Sequence, residues 1–264
     1  MNPNNETPKE TISFVISSDF GIFRKPEIVD VGLTYEIIPK PTLLGILGAI
    51  MGFKGLTHPT EEDDLEYYEK LHNLKVGIIP LEHQKKTFKK RTTPIKKIFL
   101  NFNNVHSFGN TDGNWILKEQ LLLNPVFRIF ICQGGCEKNL FLDLKEKILK
   151  RQFEFYPYMG KNEFPITLSN PKVITPNRID VNPVKLDSII FKEVIKREVL
   201  QKSPKSKPTE IFRIKLNYPF ELQSFQYRYK ETILTNLSLD IDQTKVDKCG
   251  GNLIEADGNK IFIF

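Results

Sequence analysis

Thr11-Ile12-Ser13-Phe14-Val15-Ile16-Ser17 places Ile12, Phe14 and Ile16 on one face of a β-branched and aromatic run, which predicts a strand. An irregular stretch punctuated by Gly21, Pro26, Gly32, Pro39 and Pro41 comes next, and then Leu43, Ile46, Leu47 and Ile50 recur at helical spacing. Thr42 stands where an N-cap would satisfy the first free N–H groups of that helix. A second helix is expected from Glu61 to Leu71, with acids in the first turn where the helix dipole favours them. Lys75 to Leu81 reads as the next strand. Ile98 to Val105 and Trp115 to Leu117 flank the turn residues Gly109-Asn110-Thr111-Asp112-Gly113, as in a long hairpin. Val126 to Cys132 is a further strand, and Leu140 to Gln152 is a helix with Leu140, Leu144 and Ile148 on one side. Pro157 to Gly160 separates that helix from a strand at Phe164 to Leu168. This order is that of an α+β, ferredoxin-like (RRM-like) βαββαβ domain with a protruding hairpin inserted.

From Pro171 onward the composition changes. Pro171, Pro176, Pro183, Pro204, Pro208 and Pro219 punctuate short runs, and Lys202 to Lys207 reads as an exposed loop. Asn252 to Ala256, an Asp257-Gly258 turn and Lys260 to Phe264 form the strongest short-range hairpin signal in the chain. The expected organisation is therefore a flexible stretch at 1–10, a ferredoxin-like domain at 11–170 with its hairpin within 84–118, and a β-rich extension or small second lobe at 171–264.

The 264 residues are 40% apolar, enough for a substantial core. The sequence contains no apolar run of the ~18 to 20 residues a membrane helix needs, and Met1-Asn2-Pro3-Asn4-Asn5-Glu6 lacks the basic and apolar regions of a signal peptide, so a cytoplasmic protein without membrane contact is expected. The three cysteines, Cys132, Cys136 and Cys249, are an odd number and fit a reducing compartment. Cys132-x-x-x-Cys136 has no histidine close in sequence to complete a zinc site, so no metal or cofactor is expected. The net charge of +6 is concentrated: Lys85, Lys86, Lys89, Lys90, Arg91, Lys96 and Lys97 face one acid, Glu82, in the same stretch. A polyanionic partner would explain such a run, and so would a solvated loop.

Phosphate-loop, His-Glu-x-x-His and Gly-x-Ser-x-Gly patterns are all missing, so no common enzyme class is indicated. Gly45-x-x-Gly48 has the spacing of an RNA-clamping loop, but its glycines fall within a helical apolar pattern, where close packing explains them. Phe23-Arg24-Lys25 follows the first strand directly. It reads either as a stacking ring beside two cations, suited to single-stranded RNA, or as a core phenylalanine beside solvated charges.

Taken together, Ser17-Ser18-Asp19-Phe20-Gly21-Ile22-Phe23-Arg24, Gly32-Leu33-Thr34-Tyr35 and Pro39-Lys40-Pro41-Thr42-Leu43-Leu44-Gly45-Ile46-Leu47-Gly48-Ala49-Ile50-Met51-Gly52 resemble the amino-terminal signature of the Cas-five family, CRISPR Cascade subunits of the RAMP superfamily. Pro125-Val126-Phe127-Arg128-Ile129-Phe130 and the later Pro157-Tyr158-Met159-Gly160-Lys161-Asn162-Glu163-Phe164 resemble that family's later strand and glycine-containing turn. Beyond Pro171 the chain has a general likeness to type I-B members. Where the family often has an arginine before the helix-leading threonine, this chain has Lys40, which exchanges a bidentate phosphate grip for a point charge.

The resemblance implies a non-catalytic subunit that caps the 5′ handle of a CRISPR guide RNA and docks the backbone and large subunits of a Cascade complex, meeting target DNA through that complex. It implies a hairpin thumb that wedges at the boundary between handle and spacer. Carried onto this sequence, the RNA-binding residues are Phe23, Arg24, Lys25, Lys40, Thr42, Lys85, Lys86, Lys89, Lys90, Arg91, His106, Lys161 and Asn162. The alternative is a metal-independent endoribonuclease like the type I-C relatives, which process precursor guide RNA with histidine, lysine and tyrosine. His106 is the only histidine in the proposed thumb, and no compact triad accompanies it. A fused HNH nuclease is set aside because no histidine follows His106.

Overall fold

The computed structural model describes residues 7–28, 30–55, 65–84, 87–91, 93–104, 115–199 and 211–264. The first half of the chain contributes β1 (Thr11–Ser17), the short β2 (Phe20–Gly21) and β3 (Val31–Gly32), α1 (Lys40–Met51), α2 (Glu66–Leu71), β4 (Lys75–Gln84) and β5 (Thr87–Lys90). The hairpin strands β6 (Lys97–Asn104) and β7 (Trp115–Leu123) follow, then β8 (Val126–Cys132), α3 (Lys138–Lys150) and β9 (Thr167–Ile174). A five-stranded antiparallel sheet has the order β5-β4-β8-β1-β9. With α1 between β1 and β4 and α3 between β8 and β9, this is the βαββαβ ferredoxin-like arrangement. The hairpin is inserted between its second and third core strands.

Both faces of the sheet are buried, which is why six successive residues of β1 are buried where a half-exposed strand would alternate. Ile12, Phe14 and Ile16 join Val76, Ile78, Phe127 and Ile129 in the core shared with Leu43, Leu47, Leu144 and Ile148 of the helices. Val15, Ile79, Leu81, Val126 and Phe130 point the other way, onto Ile254, Ala256, Ile261 and Ile263. Those last four belong to β17 (Asn252–Ala256) and β18 (Asn259–Ile263), the hairpin that Asp257-Gly258 announces in the sequence.

The remaining elements of the second half are β10 (Asn177–Arg178), β11 (Val184–Lys185), β12 (Ile190–Phe191), β13 (Ile195–Val199), β14 (Arg213–Gln223), β15 (Gln226–Thr235), β16 (Ser238–Ile241) and α4 (Gln243–Lys248). They form small sheets with the orders β10-β17-β18, β11-β16-β13 and β12-β15-β14. Phe264 exchanges backbone bonds with Val76 at 2.9 and 3.1 Å, so the second half also closes part of the free edge of β4. The sheet face that an RRM-like domain offers to RNA is in this chain an internal contact.

Three local expectations change. Pro39, not Thr42, is the N-cap of α1, and Thr42 sits inside the first turn, because Pro41 supplies the fixed φ that a helix start accepts. The helix expected from Glu61 is described only from Glu66, and 61–64 lie outside the described residues. The strand expected at Phe164 begins at Thr167, since Pro165 bridges back to Tyr158 and Phe164 bonds Lys161 within a turn. Gly48 behaves as the packing argument required: a Cβ there would lie 2.4 Å from Cβ of Tyr67 on α2.

Candidate nucleic-acid interface

Three segments distant in sequence meet at the base of the β6–β7 hairpin. β7 pairs with β6 on one edge, while its other edge takes β2 (Phe20↔Leu123) and β3 (Gly32↔Glu119). Between β2 and β3 the chain turns back on itself. The Phe23 N–H donates to Thr34 Oγ1 at 2.9 Å, and Arg24 bridges Thr34. The third segment is the turn at 157–164, where the Ile22 N–H donates to the Met159 carbonyl at 3.1 Å. Gly160 permits this contact: at φ +91° a Cβ would stand 1.7 Å from the Ile22 carbonyl oxygen. One residue on, Lys161 pairs with Glu119, a carboxylate of β7 that is almost fully buried. A buried carboxylate without that ammonium would be strongly unfavourable, so the pair fixes the turn against the hairpin.

Around this junction three aromatic rings have cations over them, Phe99 and Phe102 on opposite faces of the hairpin and Tyr35 beyond β3. Lys118 Nζ lies 5.1 Å from the ring centre of Phe99, which is 52% exposed although it is a large apolar side chain. Lys161 Nζ lies 4.5 Å from the ring of Phe102. Lys25 Nζ lies 5.3 Å from the ring of Tyr35, whose hydroxyl bonds Glu27 at 3.2 Å and Tyr229 at 3.1 Å. Burial pushes the Tyr35 hydroxyl far above its ordinary range, helped by Tyr229 and Glu27. Burial raises Glu27, but hydrogen bonds from Tyr229, its own backbone and Tyr35 outweigh that and hold it below the usual carboxylate range. Arg24 and Asn162 are exposed beside these groups. The exposed Phe99 ring supplies a stacking face that tolerates any base, and the cation beside it supplies a phosphate contact, so this face suits a single strand.

Of the sequence-predicted residues, Arg24 and Lys25 on one segment and Lys161 and Asn162 on another lie on stretches of chain that pack at the base of the hairpin, with Lys161 neutralised by Glu119 on the face of β7 opposite Lys118; the structure separates the rest. Phe23 is corrected: it is 2% exposed with its ring 6.1 Å from that of Phe127, a core side chain with no face to offer a base. Lys40 is corrected as well. Its ammonium donates to the Phe264 carbonyl at 3.2 Å and lies over the Phe264 ring, and burial lowers it to about 8 against the opposing pull of Glu221. Thr42 lies under the β14–β15 hairpin, bonded to Tyr227, so the start of α1 is packed against protein.

Among the described residues the basic run is largely neutralised internally. Lys89 pairs with Glu82 at 3.0 Å and Lys90 with Asp187 at 2.8 Å. Arg91 donates to the Leu81 carbonyl at 3.0 Å, and burial lowers its pKa against the pull of Glu82 and Glu36. Lys85, Lys86 and His106 lie outside the described residues. Sequence reasoning missed Phe99, Phe102 and Lys118. The available signal was Ile98-Phe99-Leu100-Asn101-Phe102, apolar on both faces of one strand of a protruding hairpin with nothing assigned to cover the second.

Among the described residues no cluster of three or more His, Cys, Asp or Glu is arranged to hold a metal ion, and no helix is long and apolar enough to cross a membrane. No family model matches the sequence, and no curated protein matches it. Among solved structures, the chain is similar to a subunit of a CRISPR RNA-guided surveillance complex at 13% identity, covering 90% of this chain and 99% of that one with a TM-score of 0.44. It is also similar to a CRISPR protein from Archaeoglobus fulgidus at 12% identity, over 96% and 98% of the two chains with a TM-score of 0.43. A chain of the type III-B Cmr-beta complex bound to cognate target RNA and AMPPnP matches at 10% identity, over 91% and 88%, with a TM-score of 0.41. These likenesses are distant and assign no role by themselves.

Proposed function

We propose that this chain is a non-catalytic RNA-binding subunit of a CRISPR ribonucleoprotein, a Cas-five-like subunit of a type I-B Cascade complex that caps the 5′ handle of the guide RNA. The observation that carries this reading is the Phe99–Lys118 pair, an exposed ring with a cation over it on one face of the β6–β7 hairpin, near the segment that carries the exposed Arg24 and whose Thr34 N–H donates to Gln120 on that same face. Stacking on Phe99 and charge from Lys118 and Arg24 hold a strand there without needing duplex structure. In this reading the handle runs across the junction, the hairpin separates handle from spacer, and other surfaces meet the backbone and large subunits. Target DNA is engaged through the assembled complex.

The test is to purify the chain with the RNA it carries from its native cells and sequence that RNA. Guide RNAs sharing one 5′ handle are the expected result. A random population of cellular single strands would reduce the reading to a general RNA-binding protein.

A further inference from the structure

Two hairpins in this chain close through two-residue turns of the same kind. Between β17 and β18 the turn is Asp257-Gly258, at φ +53° and +67°, flanked by the Ala256↔Asn259 pair. Between β14 and β15 it is Ser224-Phe225, at φ +47° and +60°, flanked by Gln223↔Gln226. Both central residues of such a turn lie in the left-handed region, which Asp-Gly accepts and a bulky side chain does not. Phe225 carries that strain with more than half of its surface in solvent, at 55% exposed, so burial offsets little of it. The hairpin beneath it is firmly held: Tyr218 donates to the Ile38 carbonyl at 2.9 Å, and the Leu222 N–H donates to the Tyr68 hydroxyl at 2.7 Å. A strained, exposed aromatic on a rigid support is unfavourable for the isolated chain, so its benefit lies in a contact outside it.

We infer that Phe225 is an anchor that inserts into an apolar socket on a neighbouring protein subunit. The charge around the tip selects protein over nucleic acid. Between Glu221 and Arg228 those two residues are the only charges and they cancel, and Arg228 is turned back to donate to Gln223 Oε1 at 2.8 Å. A polyanion would find no net attraction there, whereas an exposed ring with a polar surround is the usual form of an interface anchor. The inference rests on the proposed role in a ribonucleoprotein and adds a second contact surface, distinct from the RNA site.

The test compares Phe225→Gly and Ser224→Asn in the full chain. Phe225→Gly is expected to raise Tm by about 2 °C, because glycine accepts the backbone conformation. It should also weaken incorporation into the complex reconstituted from the remaining protein subunits and guide RNA by about tenfold or more. Guide-RNA binding by the chain alone should stay unchanged. Ser224→Asn keeps the ring and should raise Tm without weakening incorporation. Wild-type incorporation of Phe225→Gly, a fall in its Tm, or an equal loss of RNA binding by the isolated variant would each overturn the anchor while leaving the RNA-binding role intact. If the wild-type chain neither binds guide RNA nor enters the complex, the underlying role fails and the socket with it.

Discussion

Truncating Phe99 to alanine separates binding from folding, because the ring is half in solvent and supports little of the core. Surface substitutions of this kind change stability by no more than ~0.5 kcal/mol, so the melting temperature should not move. If a base stacks on the ring, its loss costs ~1–3 kcal/mol of RNA affinity. That corresponds to a factor of roughly 5 to 150 in Kd. Lys118, whose ammonium sits 5.1 Å from the ring centre, makes a separable contribution. Lys118→Met should flatten the dependence of log affinity on log salt by ~0.7, the value for one single-strand phosphate contact, whereas Phe99→Ala should leave that slope unchanged. Both variants and the double mutant should be titrated with handle-bearing and scrambled RNA at several salt concentrations. The double mutant should lose less than the sum of the single losses, because the cation and ring act on the same nucleotide. Wild-type affinity in Phe99→Ala, or a changed salt slope with unchanged affinity, would refute the stacking assignment.

Phe23→Ala should cost ~3–5 kcal/mol of stability by urea unfolding, as a core truncation does, with any loss of RNA binding explained by unfolding. Gly160→Ala combines a left-handed backbone with a Cβ 1.7 Å from the Ile22 carbonyl oxygen and should destabilise the chain by ~3 kcal/mol or more; a loss within ~0.5 kcal/mol by the same assay would show that the turn does not hold β2 as described. Lys40 has a folded pKa lowered to about 8 from 10.5, so its charged form is disfavoured in the fold. That penalty is full below pH 8 and is relieved as pH rises toward 10.5, because the unfolded chain binds more protons in that window. Relative to Lys40→Met, the wild-type chain should therefore gain stability between those limits in pH-dependent thermal melts, and a parallel course would contradict the burial. Finally, the purified chain should leave a precursor guide transcript uncut and His106→Ala should be silent; metal-independent cleavage at the base of the repeat hairpin, lost in His106→Ala, would replace the non-catalytic reading with the endoribonuclease.

Much of the fold is local and was legible. Alternation in Thr11–Ser17, helical spacing in Leu43–Ile50 and the Asp257-Gly258 turn each declare an element, since side-chain period and turn chemistry are properties of a few adjacent residues. The order of those elements then leaves few topologies, and the βαββαβ sheet is one of them. The hairpin site is legible only in part: Arg24, Lys25, Lys161 and Asn162 lie on segments that pack at the hairpin's base, whereas Phe99 and Lys118 are not among the residues the sequence points to. What could not be read was which charges remain available to a ligand. Lys90 is paired with Asp187, Lys40 with the Phe264 carbonyl and Lys161 with Glu119, partners far away in the chain that no window along it connects. The same applies to faces. Phe23 and Phe99 are both aromatics beside basic residues in the sequence, yet one is 2% exposed and the other 52%. Periodicity states that a side chain points to one side of a strand. Whether that side is core or solvent depends on what the rest of the chain lays against it, and here β17 and β18 cover the sheet while one face of the β6–β7 hairpin keeps Phe99 in solvent.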